Sequence, residues 1–288
     1  MEALAPAKVN LYLHVGPPKA DGRHDLCSWT VFADHRAADR LTVAAAPDFS
    51  LQVEGPTAGD AGAIDDNLVA RAAKALAGAA GIAPGVSITL EKRLPVAAGI
   101  GGGSADAGAA LRLLRTLWSV GDVQTCLDIA AGLGGDVPAA FVSRPVLMRG
   151  EGERVSPAPP APPLPAVLVN PGFPCPTGPV FRRYDESAPA ALVETDPPGF
   201  ETTMAAIDWL AGQRNDLESP ALALAPDIQG VLDALASLQG ARLVRMSGSG
   251  ATCFALFESE DAAVSAAAGL SEARPEWWVR PTLLGGLP

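Results

Sequence analysis

Residues 95–107 read PVAAGIGGGSADA, with glycines at 99, 101, 102 and 103 and a helical pattern starting at Ser104. Glycine costs conformational entropy wherever it is ordered, so a cluster at the mouth of a helix means the backbone must do something side chains would prevent. A helix start presents unpaired N–H groups and the positive end of the macrodipole, and a glycine loop leading into it makes a nest for an anion such as phosphate. One glycine would fit a tight strand-to-helix turn; four in five positions argue for the nest. The loop is not a Walker motif, which needs Gly-Lys-Ser/Thr where this chain has Gly103-Ser104-Ala105. Nor does a βαβ unit with a well-placed acidic residue follow, as a dinucleotide fingerprint requires.

Phosphoryl transfer asks mostly for positioning and charge stabilisation, so the next requirement is a cation and a carboxylate able to hold an acceptor hydroxyl. Lys8, in a strand-like stretch, and Asp136, after Gly134-Gly135 and before VPAAFV, are the candidates. Read singly, Lys8 is equally a solvated edge charge and Asp136 equally the N-cap of a short helix.

The elements that must position these residues are mixed. LAPAKVNLYLHV, WTVFADHRAADRLTVAAA, LQVEG, VSITLEKRL and PVLMRGEGERV read as strands, and PPKADGRHD as a loop. Asp65 or Asp66 is the expected cap of a helix through NLVARAAKALAGAA; SADAGAALRLLRTLW and DVQTCLDIAAGL read as further helices. Residues 156–165, SPAPPAPPLP, are dense enough in proline to act as a semi-extended connector, which places domains at 1–155 and 166–288. Beyond it, AVLVNP, RLVRM, CFALFES and WWVRPTLL read as strands. Segments around VFRRYD, TTMAAIDWLA, PDIQGVLDALASL and EDAAVSAAAGL read as helices, and SGSGAT as a loop. The pattern is α+β.

A hydrophobic content of 48% with 18% charged residues is that of a globular protein with a sizeable core. The sequence shows neither an apolar run of membrane-spanning length nor a signal peptide, so the expected location is cytoplasmic with no membrane partner. A net charge of −11 repels polyanions and argues against nucleic acid, while leaving room for a small phosphorylated ligand at a local cationic site. The cysteines at 27, 126, 175 and 253 make no CxxC pair and read as buried thiols.

Taken together, APAKVNLYLHV, PVAAGIGGGSADA, GGDVPAAF and MSGSGAT, in that order along nearly the whole chain, resemble the GHMP kinase superfamily. LPVAAGIGGGSADA is close to the pattern LPxGxGLGGGSSDA, KVNLYLHVGPPKADGRH is close to KxNLxLxVxGxRxDGYH, and RNDLE carries a matching dipeptide. These finer matches resemble the member that phosphorylates a cytidine diphosphate-linked polyol for non-mevalonate isoprenoid synthesis. The alternatives are a family kinase for another small alcohol, of homoserine or mevalonate type, and a silent nucleotide- or sugar-binding member.

The resemblance implies a ribosomal-S5-like N-terminal domain that holds the ATP phosphates and the catalytic residues, and a ferredoxin-like C-terminal domain that completes the substrate cleft. It implies ATP and Mg²⁺ as cofactors, a small-molecule substrate, and a monomer or homodimer. By residue it makes Lys8 and Asp136 the catalytic pair. Asn67, Lys92, Pro95, Gly99, Gly101, Gly102, Gly103 and Ser104 line the ATP site, and Asn10, Arg23, His24 and Phe181 the substrate site. Two positions depart from the family pattern. Arg23 stands where Tyr precedes the histidine; a guanidinium can stack on a ring and also carry charge toward a diphosphate. Ala105 replaces a second serine, leaving the Ser104 hydroxyl as the obvious protein contact for Mg²⁺; the metal's ligands are not assigned.

Overall fold

The structure is a computed structural model in which residues 1–187 and 189–285 are described. Two compact units emerge, each from separate stretches of chain: 1–7, 38–96 and 101–143 form the first; 8–37, 97–100 and the chain from Arg144 onward form the second.

The first unit is a four-stranded sheet backed by helices. β1 (Glu2–Pro6) runs antiparallel to β5 (Ala38–Ala45), β5 antiparallel to β7 (Val86–Glu91), and β6 (Phe49–Glu54) parallel to β7. On β7, Val86, Ile88 and Leu90 are buried and alternate with more open positions, the period that seats one face of a strand on a core. That core includes Leu41, Leu76, Leu111 and Leu114 from β5 and from the helices α1 (Leu68–Ala80) and α2 (Gly102–Trp118). α3 (Val123–Leu133) and α4 (Val137–Val142) complete the layer. α2 and α4 approach closely because residue 108 is glycine: a Cβ there would stand 2.6 Å from the Ala140 carbonyl carbon. The Arg112 guanidinium donates to Ala140 O at 2.6 Å and Leu4 O at 3.1 Å, tying α2 to α4 and β1.

The second unit holds two sheets. In one, β2 (Lys8–Asn10), β4 (His24–Phe32), β8 (Val146–Gly150) and β9 (Arg154–Pro157) follow in that order, with β3 (His14–Pro18) also paired to β4. In the other, the antiparallel order is β11 (Leu243–Met246), β12 (Cys253–Leu256), β10 (Leu164–Asn170), β13 (Trp278–Leu284). α5 (Thr177–Asp185), α7 (Glu218–Leu224), α8 (Asp227–Ala236) and α9 (Glu260–Ala273) contribute Val180, Ala221, Val231 and Ala267 to a core with Val167 and Phe257; α6 (Thr203–Ala211) belongs to the same unit. The proline-dense run 156–165 joins β9 to β10 inside this unit, held by Ala158 N–H to Pro145 O and by Phe200 N–H to Pro160 O.

Several elements differ from the sequence reading. LAPAKVNLYLHV is three strands, because β1 pairs β5 whereas β2 and β3 pair β4. PVLMRGEGERV is a hairpin, turned by Gly150 and Gly152 at φ of 65° and 111°. The cap of α1 is Asn67, whose side chain accepts from Val69 N–H; Asp65 and Asp66 lie in the preceding exposed turn. α7 was not expected from ESPALAL, since its Pro220 is tolerated only because it falls in the first turn. The four cysteines are free and buried, as expected.

Candidate active site

In the first unit the glycine run forms the start of α2. Gly101 is the N-cap at φ 61°, with no side-chain cap, and the first helical bond is Ala105 N–H to Gly101 O at 2.8 Å. The N–H groups of Gly102, Gly103 and Ser104 therefore precede the helical ladder at the positive end of a 17-residue helix. Gly103 is exposed, and a Cβ there would lie 3.6 Å from Leu68 Cδ1, which puts the start of α1, with Asn67, beside this turn.

Beneath the turn is a buried ionic triad. Lys92 donates from Nζ to Asp39 Oδ2 and, at 2.8 Å, to Asp106 Oδ2; the three residues are at most 3% exposed. Asp39 Oδ1 also accepts from Arg93 N–H at 2.5 Å and Leu94 N–H at 2.8 Å, so one carboxylate on β5 anchors the stretch that leads to Pro95. Lys92 Nζ would stand 3.5 Å from a Cβ at Gly102, which places this cation under the helix start. Burial would lower its pKa, but the charges of Asp106 and Asp39 outweigh that and raise it. Burial pushes Asp106 up to about 8, with Lys92 opposing and Asp39 reinforcing the rise. Asp106 Oδ1 is buried without a hydrogen-bond partner among the described residues. Sequence reasoning missed Asp39 and Asp106; the signal for the latter was a carboxylate between Ala105 and Ala107 on a buried helix face.

In the second unit, residues 97–100 interlock with the MSGSGAT loop. A Cβ on Gly99 would stand 2.5 Å from Gly250 O and 2.8 Å from Ser247 O, and Thr252 N–H donates to Ala98 O at 3.1 Å. Lys8 is buried on β2, and its N–H donates to Ile100 O at 2.9 Å. Asn10, two residues on, donates its side-chain amide to Ser28 Oγ at 2.8 Å and Thr30 Oγ1 at 3.1 Å, while its own N–H reaches Ser247 Oγ. Asn10 Oδ1 is buried with no hydrogen-bond partner among the described residues.

The same unit brings His24 and Phe181 together, with ring centroids 4.8 Å apart. His24 Nε2 lies 2.7 Å from Asp185 Oδ1 at the end of α5, a partner not anticipated from sequence. Arg23 is exposed, and its guanidinium is held by Glu151 at 2.7 Å, which also accepts from Lys19. Tyr12 and Tyr184, both in this unit, are buried and donate their hydroxyls to Thr195 O and Val15 O.

Asp136, in the first unit, occupies the N-cap position of α4 but makes no capping hydrogen bond through its side chain. Plain capping does not account for it. Among the described residues no group of three or more His, Cys, Asp or Glu is placed to hold a metal. No helix among the described residues is long and apolar enough to cross a membrane.

Family models for the GHMP kinases N terminal domain and the GHMP kinases C terminal match residues 67–144 and 190–276. A relative from Hyphomonas neptunium, a 4-diphosphocytidyl-2-C-methyl-D-erythritol kinase, is 55% identical over 99% of this chain and 96% of its own length. The chain belongs to the GHMP kinase family. A second relative of this GHMP kinase, of the same name and from Methylobacterium radiotolerans, is 52% identical over 97% of each chain. The crystal structure of a 4-(cytidine 5'-diphospho)-2C-methyl-D-erythritol kinase superposes with a TM-score of 0.79 at 38% identity, covering 100% of both chains. Homoserine kinase from Cytophaga hutchinsonii, at 18% identity and a TM-score of 0.68 over 98% of this chain and 95% of its own, shares the fold. GHMP kinases take ATP as phosphate donor, and the α+β architecture expected from sequence is the family's.

Proposed function

We propose that this chain transfers the γ-phosphoryl group of ATP to the 2-hydroxyl of 4-diphosphocytidyl-2-C-methyl-D-erythritol, a step in non-mevalonate isoprenoid precursor synthesis. The observation that carries the reading is 55% identity along 99% of the chain to a kinase named for that substrate. A kinase for homoserine or mevalonate has less support, since the homoserine kinase is similar at 18% identity, a level that speaks for fold alone. A silent binding member is disfavoured because Lys8 and Asp136 are both retained.

Lys8 and Asp136 are the catalytic pair in this reading. The N–H groups at 101–104 hold the phosphates through their dipoles; Asn67, Lys92, Pro95 and Gly99 complete the ATP site. Lys92 lies beneath the helix start, its charge matched by Asp39 and Asp106, so it supports the turn from below. The Ser104 hydroxyl would be the protein contact for Mg²⁺, which would supply neutralisation of the phosphate charge. Asn10, Arg23, His24 and Phe181 hold the cytidine diphosphate end, the His24–Phe181 pair offering aromatic faces to a base. Asp136 orients the acceptor hydroxyl, and Lys8 stabilises charge on the moving phosphoryl group. The hydroxyl oxygen bonds to the γ-phosphorus as the bond to the β–γ bridging oxygen breaks, ADP leaves, and the hydroxyl proton passes late to Asp136. A loose transition state asks little of a base until late, so orientation of the hydroxyl is the larger part of this role.

The functional domains are 1–155 and 166–288, a division supported by the two family models falling one in each. The protein works in the cytoplasm as a monomer or homodimer, and its net charge of −11 argues against nucleic acid as a partner.

The test is ADP release from ATP and Mg²⁺ with the cytidyl substrate, homoserine and mevalonate in parallel. Turnover confined to the cytidyl substrate is expected; turnover with another alcohol, or with none, overturns the assignment.

A further inference from the structure

The RNDLE stretch, residues 214–218, has no part in the chemistry above, yet its side chains are tightly engaged. Asn215 is buried, and its Nδ2 donates to Met246 O and Gly248 O, both at 2.8 Å, while Oδ1 accepts from Leu217 N–H at 3.0 Å. Carbonyls only accept and an amide N–H only donates, so the orientation of the side chain is fixed by its partners. Glu218, at the start of α7, accepts from Met246 N–H at 2.8 Å. Two side chains from one short motif thus hold both polar groups of the Met246 backbone, where β11 gives way to the 247–250 loop.

That loop has little freedom to shift. Gly248 and Gly250 are at φ of 58° and 91°, and a Cβ on Gly248 would stand 2.7 Å from Gly99 O. Ser247 Oγ also donates to Gly99 O. Two backbones in such contact move together or not at all. Residues 97–100 lead directly into the glycine run at 101–103, so the conformation of the chain entering the phosphate nest is coupled to the 247–250 loop.

We propose that Asn215 and Glu218 are positioning residues of the phosphoryl transfer, setting the 247–250 loop and, through Gly99, the entry to the phosphate-binding turn. The inference rests on the kinase reading of the glycine turn. Asn215→Asp keeps shape and the acceptor for Leu217 N–H but turns an oxygen toward two carbonyls. By calorimetry its affinity for a non-hydrolysable ATP analogue with Mg²⁺ is expected to fall about tenfold, the size expected for unpaired buried polar groups. Affinity for the cytidyl substrate should fall less than threefold.

Gly248→Ala should show the same selective loss, and the double variant should lose no more than the larger single loss, because both act through one loop. Wild-type analogue binding in Asn215→Asp, equal loss of both ligands, or additive losses in the double variant would each overturn the inference. Should circular dichroism show Asn215→Asp unfolded, Glu218→Gln and Glu218→Leu decide it. Near-native analogue binding in the first, which keeps an acceptor for Met246 N–H, with selective loss in the second supports the role, and native binding in the second overturns it. A wild-type protein that binds no ATP analogue would overturn the kinase reading and this inference with it, whereas wild-type binding preserved in Asn215→Asp removes the inference alone.

Discussion

Gly99 and Gly250 meet backbone to backbone: a Cβ on Gly99 would stand 2.5 Å from the Gly250 carbonyl oxygen, and Gly99 itself sits at φ 74°. Both facts exclude a side chain, one by clash and the other because L-residues pay about 1–2 kcal/mol in the left-handed region. Gly99→Ala is therefore expected to raise the KM for ATP about tenfold or more while the KM for the cytidyl substrate changes less. Steady-state kinetics with each substrate varied in turn checks this, and equal effects on both would count against a phosphate-side role.

Removing the cation of the buried triad should be costly. Lys92→Met leaves the buried Asp39 carboxylate beside Asp106 without its cation, and breaking a buried pair in this way costs about 3–5 kcal/mol. Urea unfolding of the variant at neutral pH should show a loss of that order; a loss below about 1 kcal/mol would mean the triad relaxes into solvent.

Asp106 gives the triad a pH signature. Its pKa in the folded protein, about 8, lies above the ordinary carboxylate value, so between roughly pH 4 and 8 the folded chain holds a proton that the unfolded chain has released. This contribution to stability is complete below pH 4 and is lost as pH rises through 8, with a slope of at most about 1.4 kcal/mol per pH unit. Asp106→Asn should flatten the fall in urea midpoint between pH 5 and 8. An unchanged slope would show that Asp106 is ionised throughout.

The His24–Asp185 contact predicts a change confined to the other substrate. Asp185→Ala frees the ring that faces Phe181 and should raise the KM for the cytidyl substrate about tenfold with the KM for ATP unchanged, by the same kinetics. A matching rise for ATP would place the pair elsewhere in the chemistry.

What was legible in the sequence follows from how local its causes are. The glycine turn, the helix α2 and the strand β7 are written in consecutive residues and stand in the structure, with α2 starting at Gly102 rather than Ser104 and β7 ending at Glu91. The break of LAPAKVNLYLHV into β1, β2 and β3 is set by partners on β5 and β4, which no local pattern reveals. The same holds within the site. Lys92 was named from resemblance, but Asp39 joins it across 53 positions and Asp185 reaches His24 across 161, so neither partner was visible. Asn67 was named for the nucleotide pocket, and its side chain also caps α1.

The central claim is that Lys8 and Asp136 place a phosphoryl group on one particular hydroxyl, and the product tests it most directly. Carbon 2 of the proposed substrate bears a methyl group and no hydrogen, so a phosphate ester there has no proton three bonds from phosphorus. Phosphorus NMR of the product made with ATP and Mg²⁺ should show a single new phosphomonoester resonance without proton splitting, and Asp136→Asn should slow its appearance by about 10²–10⁴-fold. A split resonance, a product formed equally fast by Asp136→Asn, or no product from the cytidyl substrate would contradict the account.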